Sequence, residues 1–239
     1  MRRFSLRSDP QLWRCILLAL YWPLYGLLFY SAEHLFRPWR YHVMHCALDD
    51  IIPFCEFFLI PYLFWFVYLV GIHIYTFFTN RQAFQRLMWF IILSYSIGLV
   101  FFYFYPTVQL LRPAVFPRDN ILTQLMAAFY RHDTNTNVCP SLHVVGSMAV
   151  WYAARDTRLF DRRGWRWFFH ITTLLICVST VFLKQHSAID VLVGAAVSYS
   201  VYLLVYRRQE FRSPAETSLP KRNSLFKRKS VRNRPSYKT

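Results

Sequence analysis

Long uncharged hydrophobic stretches alternate with clusters of charged residues along this chain of 239 residues. Residues 57–78 form a stretch of 22 without Asp, Glu, Lys or Arg, and residues 87–105 form another of 19. Because a helix rises 1.5 Å per residue, either stretch can cross a hydrocarbon core of about 30 Å. Helices buried in soluble proteins usually have uncharged stretches of only about 10–14 residues. The pattern therefore predicts transmembrane helices.

Six spans are predicted within residues 1–206, which we expect to form one all-α, polytopic membrane helical bundle. Their approximate bounds are 12–31, 54–78, 84–105, 141–154, 167–183 and 187–206. The fourth is short for a helix that crosses a membrane. The first is interpreted as a retained span and not as a cleavable signal peptide, because its hydrophobic stretch has no small-residue cleavage site.

Basic residues are concentrated on one side of the predicted spans. The segments before the first span and after the second, fourth and sixth, counted with Arg14 and Arg86 just inside the starts of the first and third spans, hold 22 of the 28 Lys and Arg residues. Because Lys and Arg are enriched in cytoplasmic loops, both termini are predicted to be cytoplasmic in a multi-pass protein of the cell membrane or an equivalent membrane. The loops between the other spans are then extracytoplasmic.

The last segment, residues 207–239, differs from the rest in composition. It contains 11 Lys and Arg, two Glu and many Ser and Pro residues, so it cannot bury an apolar core. We expect a disordered cytoplasmic tail that interacts with anionic lipid headgroups. The net charge of +16 is therefore assigned to the membrane surface, and no nucleic-acid partner is expected.

Three polar segments on the predicted outer side carry candidate chemistry. In the last of them, His186 and Asp190 are four residues apart, so on a helix they would share a face. The carboxylate could then accept a hydrogen bond from one imidazole nitrogen and leave the other free for nucleophilic attack. The alternative is a purely structural pair that ties two helices together.

The other two segments contain candidate phosphate ligands and a proton donor. Ser141 follows a proline at the predicted start of a helix, where free amides and a hydroxyl suit a phosphate oxygen. His143 could protonate a leaving alkoxide, although a single His on an apolar helix is more often a core residue. Arg112 offers a planar fork for two phosphate oxygens. Together these groups could perform displacement at phosphorus without a metal or another cofactor.

The motifs resemble those of the type 2 phosphatidic acid phosphatase family, which also includes vanadium haloperoxidases and lipid phosphotransferases. The matching motifs are Arg112-Pro113, Pro140-Ser141-x-His143 and Ser179-x6-His186-x3-Asp190, so the resemblance covers about residues 105–190. It implies that His186 forms a phosphohistidine, that Asp190 orients it and that His143 protonates the leaving group. It further implies that Arg112 and Ser141 hold phosphate and that no metal is needed.

Two positions depart from the family pattern. Tyr105 stands where the first motif has Lys, and Thr180 stands where the third has Arg. Two phosphate-binding cations are thus missing, and Lys184 is the first candidate to replace them, followed by Arg118 and Arg131. The expected function is a lipid phosphate phosphatase with an extracytoplasmic active site. The alternative is a phosphotransferase that passes phosphate or a phospho-headgroup to an alcohol.

Two readings compete with this assignment. His42, His45 and Asp49 could share a helical face and bind zinc or calcium, or they could shape access to the site. A transporter or structural membrane protein is the second alternative, although the sequence shows no internal repeat. A disulfide between Cys46 and Cys139 is conceivable if both face an oxidising compartment.

Overall fold

The computed structural model describes residues 9–207 of the chain. Apart from Arg207, the predicted basic tail lies outside the described residues. The structure is 74% helical and has almost no sheet, which confirms the predicted all-α class.

Nine α-helices are present in the described part of the chain. They are α1 (Pro10–Ala19), α2 (Tyr21–Tyr30), α3 (Ala47–Ile51), α4 (Leu59–Thr79), α5 (Arg81–Phe104), α6 (Ile121–His132), α7 (Leu142–Arg155), α8 (Arg163–Phe182) and α9 (Ala188–Tyr202). A π-helical turn, Ser31–Leu35, extends α2, and another, Leu203–Arg207, extends α9. The strands β1 (His42–Val43) and β2 (Thr107–Val108) pair in parallel.

Five helical segments within residues 9–207 are long and apolar enough to cross a membrane. They are Pro10–Leu35, Glu56–Thr79, Arg81–Phe104, Arg163–Phe182 and Ala188–Arg207. Each agrees with a predicted span to within four residues at either end. The fourth predicted span corresponds to α7, which has 14 residues and is about 21 Å long.

Helix α7 forms the centre of the bundle. It packs against α4, α5, α8 and α9, and nine of its residues are buried. Small residues permit this close packing. A Cβ atom at Gly146 would lie 2.9 Å from the Trp65 indole nitrogen and the Tyr95 hydroxyl, and one at Gly194 of α9 would lie 3.0 Å from the Ser141 carbonyl oxygen.

Two ion pairs bring the basic segments together at one end of the bundle. Asp9, at the start of α1, pairs with Arg81 at the start of α5. Arg86 of α5 pairs with Asp156 at the end of α7. The opposite end, where α4, α7 and α9 begin, therefore carries the loops that contain the sequence motifs.

Candidate active site

The start of α9 positions the candidate nucleophile and its acidic neighbour. Ser187 is the N-cap residue, and its amide donates to the Asp190 carboxylate at 2.9 Å. His186 lies just before the cap, so the expectation that both residues share a helix is wrong. They still meet, because the Asp190 side chain turns back over the helix start. His186 Nδ1 lies 3.5 Å from Asp190 Oδ2, a separation too long for a strong hydrogen bond.

His143 lies in the first turn of α7 and faces His186. Its ring stacks on Tyr62 at 4.3 Å and lies 4.5 Å from Trp65, both on α4. The two imidazole ring centres are 5.8 Å apart. His143 Nε2 is buried and has no hydrogen-bond partner among residues 9–207. The structure thus brings together two histidines that are 43 positions apart in the sequence.

A cavity of about 90 Å³ separates these histidines from the surrounding loops. Both histidines line it, together with Phe29, Tyr62 and two acidic residues, Glu33 and Asp133. The acidic residues were not predicted from the sequence. Glu33 accepts hydrogen bonds from the Asn137 side-chain amide at 2.7 Å and from the Thr134 hydroxyl, and so ties the end of the first span to the loop before α7. An acidic residue just after a hydrophobic stretch was the signal that could have revealed it.

Ser141 connects the starts of α7 and α9. The sequence placed Ser141 within the first turn of a helix, but it is the N-cap residue of α7, one position before the helix begins. Its amide donates to the Asp190 carbonyl at 3.2 Å. Its hydroxyl is fully buried without a hydrogen-bond partner in the described part of the chain. A buried hydroxyl beside the free amides of a helix start is a suitable place for a phosphate oxygen.

The two terminal nitrogens of the Arg112 guanidinium are occupied by protein groups, while its buried Nε has no hydrogen-bond partner among residues 9–207. The guanidinium donates to the carbonyl oxygens of Tyr130, Asp133 and Thr134, to the Asp133 carboxylate at 3.1 Å and to the Gln185 side-chain oxygen at 2.8 Å. It also lies 4.5 Å above the Tyr130 ring. Arg112 therefore reaches the cavity through three of the residues that line it, Asp133, Thr134 and Gln185.

Lys184 is directed away from the cavity. Its ammonium donates to the carbonyl oxygen of Asp49 at 2.7 Å and to that of Ile52, at the C-terminal end of α3. Burial lowers the pKa of Lys184. The geometry therefore gives no support to its predicted role as a phosphate ligand. Of the two reserve candidates, Arg118 forms a two-pronged ion pair with Glu56, at 2.7 and 2.8 Å, and Arg131 is exposed near the end of α6.

Asp49 supports the loop of the candidate nucleophile, a role that was not predicted. Its buried carboxylate accepts hydrogen bonds from the Cys46 amide at 2.8 Å, the Ala188 amide at 2.9 Å and the Ser187 hydroxyl. Burial alone would raise the pKa of Asp49, but these hydrogen bonds leave its pKa below the usual value. The charged form of Asp49 thus fixes the start of α9.

The proposed helical face for zinc or calcium does not exist. His42 belongs to β1 and stacks on Tyr105 at 3.9 Å, and His45 bonds to the exposed Asp50 at 2.9 Å. Among the described residues, no group of three His, Cys, Asp or Glu side chains is arranged to hold a metal. Cys46 and Cys139 are both free thiols, so the conceivable disulfide is not formed.

Residues 35–204, which make up 170 of the 239 residues, match the PAP2 superfamily. The chain belongs to this superfamily. The match includes all three motifs, confirms the resemblance found in the sequence and supports phosphatase-type activity in general. No curated protein and no solved structure shows significant similarity to the chain.

This PAP2 superfamily member has no cation at the two divergent motif positions. Tyr105 is half exposed and stacks on His42, while the Thr180 hydroxyl donates to the Cys177 carbonyl oxygen within its own helix. Neither side chain therefore supplies positive charge to the site.

Proposed function

We propose that this chain is a lipid phosphate phosphatase that acts through a phosphohistidine at His186. The observation that carries the proposal is the position of two imidazole rings across one small cavity, with a carboxylate beside one of them. Asp190 lies beside Nδ1 of His186, which favours the tautomer that leaves Nε2 free to attack. The cavity lies at the end of a bundle with spans long enough to cross a membrane, where a lipid headgroup can enter.

The reaction has two balanced steps. In the first, His186 Nε2 bonds to phosphorus, the bond from phosphorus to the lipid oxygen breaks, and His143 donates a proton to that oxygen. In the second, water attacks phosphorus and gives a proton to His143, and the phosphorus–nitrogen bond breaks to release phosphate. The faces of Tyr62 and Trp65 stabilise the positive charge that His143 carries before it donates its proton in the first step and again after water returns a proton in the second.

Trapping the intermediate tests this proposal. The full-length protein is mixed with a panel of radiolabelled lipid phosphates and diphosphates, quenched and digested. Acid-labile label should appear on the peptide that contains His186, and phosphate release should continue in EDTA. His186→Ala should abolish both label and release, whereas the matched control His132→Ala, which replaces an exposed histidine at the same end of the bundle, should change neither. Turnover by the His186→Ala protein would refute the mechanism.

His143→Ala distinguishes the proton donor from the nucleophile. A lipid alkoxide is a poor leaving group and needs protonation, whereas an aryl oxide needs little. The variant should therefore lose most of its activity on lipid phosphates and retain much more on an aryl phosphate. Equal losses on both substrates would mean that His143 has another role.

The acidic lining of the cavity favours a second candidate, transfer of a phospho-headgroup to an alcohol. Glu33 and Asp133 line the site, whereas Arg112 is occupied and Lys184 is directed away. A phosphodiester carries one negative charge and meets less repulsion there than a phosphate monoester, which carries up to two. Adding a lipid phosphodiester as the donor and an alcohol as the acceptor to the assay decides between the two. New phosphodiester products without free phosphate would establish the transferase.

The active site is proposed to face the extracytoplasmic side. This follows from the basic residues at the other end of the bundle, because positively charged segments remain in the cytoplasm.

A further inference from the structure

A second cavity, of about 450 Å³, lies between the end of α7 and the start of α8. It is at the opposite end of the bundle from the two histidines. Its lining includes three arginines and several aromatic residues, among them Arg155, Arg163, Arg166, Trp151, Trp167 and Phe169. No step of the proposed reaction uses these residues.

The positive charge of this cavity is largely uncompensated. Within residues 9–207, Arg155 and Arg163 form no ion pair, and Arg166 pairs only with the exposed Asp161, at 3.2 Å. The Arg155 guanidinium lies 5.2 Å above the Trp151 ring, which holds it at the cavity without neutralising it. Guanidinium groups gathered in this way repel one another and attract an anion with several oxygen atoms.

An apolar surface continues from the cavity along an exposed side of α8. Trp167, Ile171 and Leu174 are 54%, 48% and 57% exposed, at helical positions i, i+4 and i+7. They therefore form one stripe along a helix that is long enough to span a membrane. Arginine and tryptophan are also the residues expected at the membrane–water boundary.

We propose that this cavity binds the phosphate of an anionic membrane phospholipid, with an acyl chain along the stripe of Trp167, Ile171 and Leu174. The stripe favours a lipid over a soluble phosphate, because a soluble anion would leave that apolar surface unused. The 11 basic residues of segment 207–239 have the same sign of charge as the cavity, which disfavours this segment as the occupant. The site is independent of the reaction at His186.

Native mass spectrometry of the full-length protein in neutral detergent tests the site. The probe is dioleoyl phosphatidylglycerol, and dioleoyl phosphatidylcholine is the neutral comparison. The test variant is Arg155→Gln/Arg163→Gln, and the matched control is Arg158→Gln/Arg162→Gln, which removes the same charge from exposed positions outside the cavity lining. Because both variants keep the catalytic cavity and segment 207–239, lipid bound there cancels in the comparison.

The test variant should bind phosphatidylglycerol about tenfold more weakly than the parent, and the control should stay within about twofold of it. Equal weakening in both variants, or none in either, would overturn the proposal. Binding of soluble glycerophosphoglycerol as tightly as the lipid would also overturn it, because the stripe would then contribute nothing. Arg155→Lys/Arg163→Lys keeps the charge and should restore much of the binding, and aryl phosphate turnover verifies that each variant is folded.

Discussion

Replacing Asp49 by Asn tests whether this carboxylate holds the loop of the candidate nucleophile in place. Asp49 is 2% exposed and accepts three hydrogen bonds, two of them from residues at the start of α9. An Asn side chain has one acceptor oxygen and one donor nitrogen, so at least one buried amide loses its partner and the others lose a charged acceptor. Hydrogen bonds to a charged group contribute about 1.5–3 kcal/mol each, so we expect a loss of about 2–4 kcal/mol.

The adjacent residue provides a matched control. The side chain of Asp50 is 68% exposed, and among the described residues its hydrogen-bond partner is His45, at 2.9 Å. Asp50→Asn removes the same charge and should change the free energy of unfolding by no more than about 0.5 kcal/mol.

Melting and turnover of the purified protein in detergent micelles provide the measurements. For a chain of this size, the expected loss corresponds to a melting temperature lower by about 5–15 °C. Turnover should fall about tenfold, because small displacements of a reacting group are costly. If Asp49→Asn melts and turns over like Asp50→Asn, the loop is held by other contacts and the reasoning is wrong.

The pH dependence gives an independent check on the sign of this effect. The pKa of Asp49 is lower in the folded chain than its usual value, which is near 4. The stabilisation is therefore fully present above that usual value and is lost as the pH falls through the folded pKa. The difference in stability between the parent and the Asp49→Asn protein should be constant at neutral pH and shrink in acid. A difference that grows in acid would contradict the assignment.

Three further predictions follow from other parts of the structure. Lys184→Met should lower the melting temperature but leave the turnover of the folded protein largely intact, because the ammonium binds carbonyl oxygens at the end of α3 and not the substrate. A large loss of turnover without destabilisation would restore the predicted role of Lys184 as a phosphate ligand. Gly194→Ala should destabilise the protein by about 1–3 kcal/mol, because the new methyl group meets the backbone of Ser141. The control Gly71→Ala, where the methyl group would enter open space, should be neutral or slightly stabilising. Equal effects of the two substitutions would show that α7 and α9 can separate freely. In intact cells, a membrane-impermeant thiol reagent should modify Ala114→Cys but not Gly164→Cys, both at exposed positions, and the reverse pattern would place the active site in the cytoplasm.

The spans could be predicted because a bilayer imposes a length and forbids charge over that length. The loops obey no such rule. Helices α3 and α6 have five and 12 residues, and the sequence pattern predicted neither of them. Lys184 shows the same limit. Its proximity to His186 in sequence suggested a shared site, but a positive φ of 53° at Lys184 and the nearby carbonyl oxygens of α3 take its ammonium elsewhere.

For the candidate site, the sequence predicted the residues that belong to the motifs but not the other residues that line the cavity. The spacing of His186 and Asp190 predicted that the two side chains lie close together, and they do. Their contact results from the capping box at the start of α9 and not from the predicted shared helical face. Glu33 and Asp133 are separated by 100 positions, and they meet at one cavity because the first span packs beside the loop before α7. Local sequence could have marked Glu33 as a candidate, but it could not show that the two acidic residues meet at this cavity.

The two divergent motif positions and the acidic lining both favour a substrate with less negative charge. The positions of Tyr105 and Thr180 would each carry a cation in the family pattern, and their loss makes the site less positive. Glu33 and Asp133 make it less positive again, and Asp133 also occupies the fork of Arg112. A dianionic phosphate would meet stronger repulsion from these carboxylates than a singly charged phosphodiester, which would also need fewer cations. The charge of the transferred group, more than the identity of the nucleophile, therefore separates the phosphatase from the transferase, and the alcohol-acceptor assay addresses it directly.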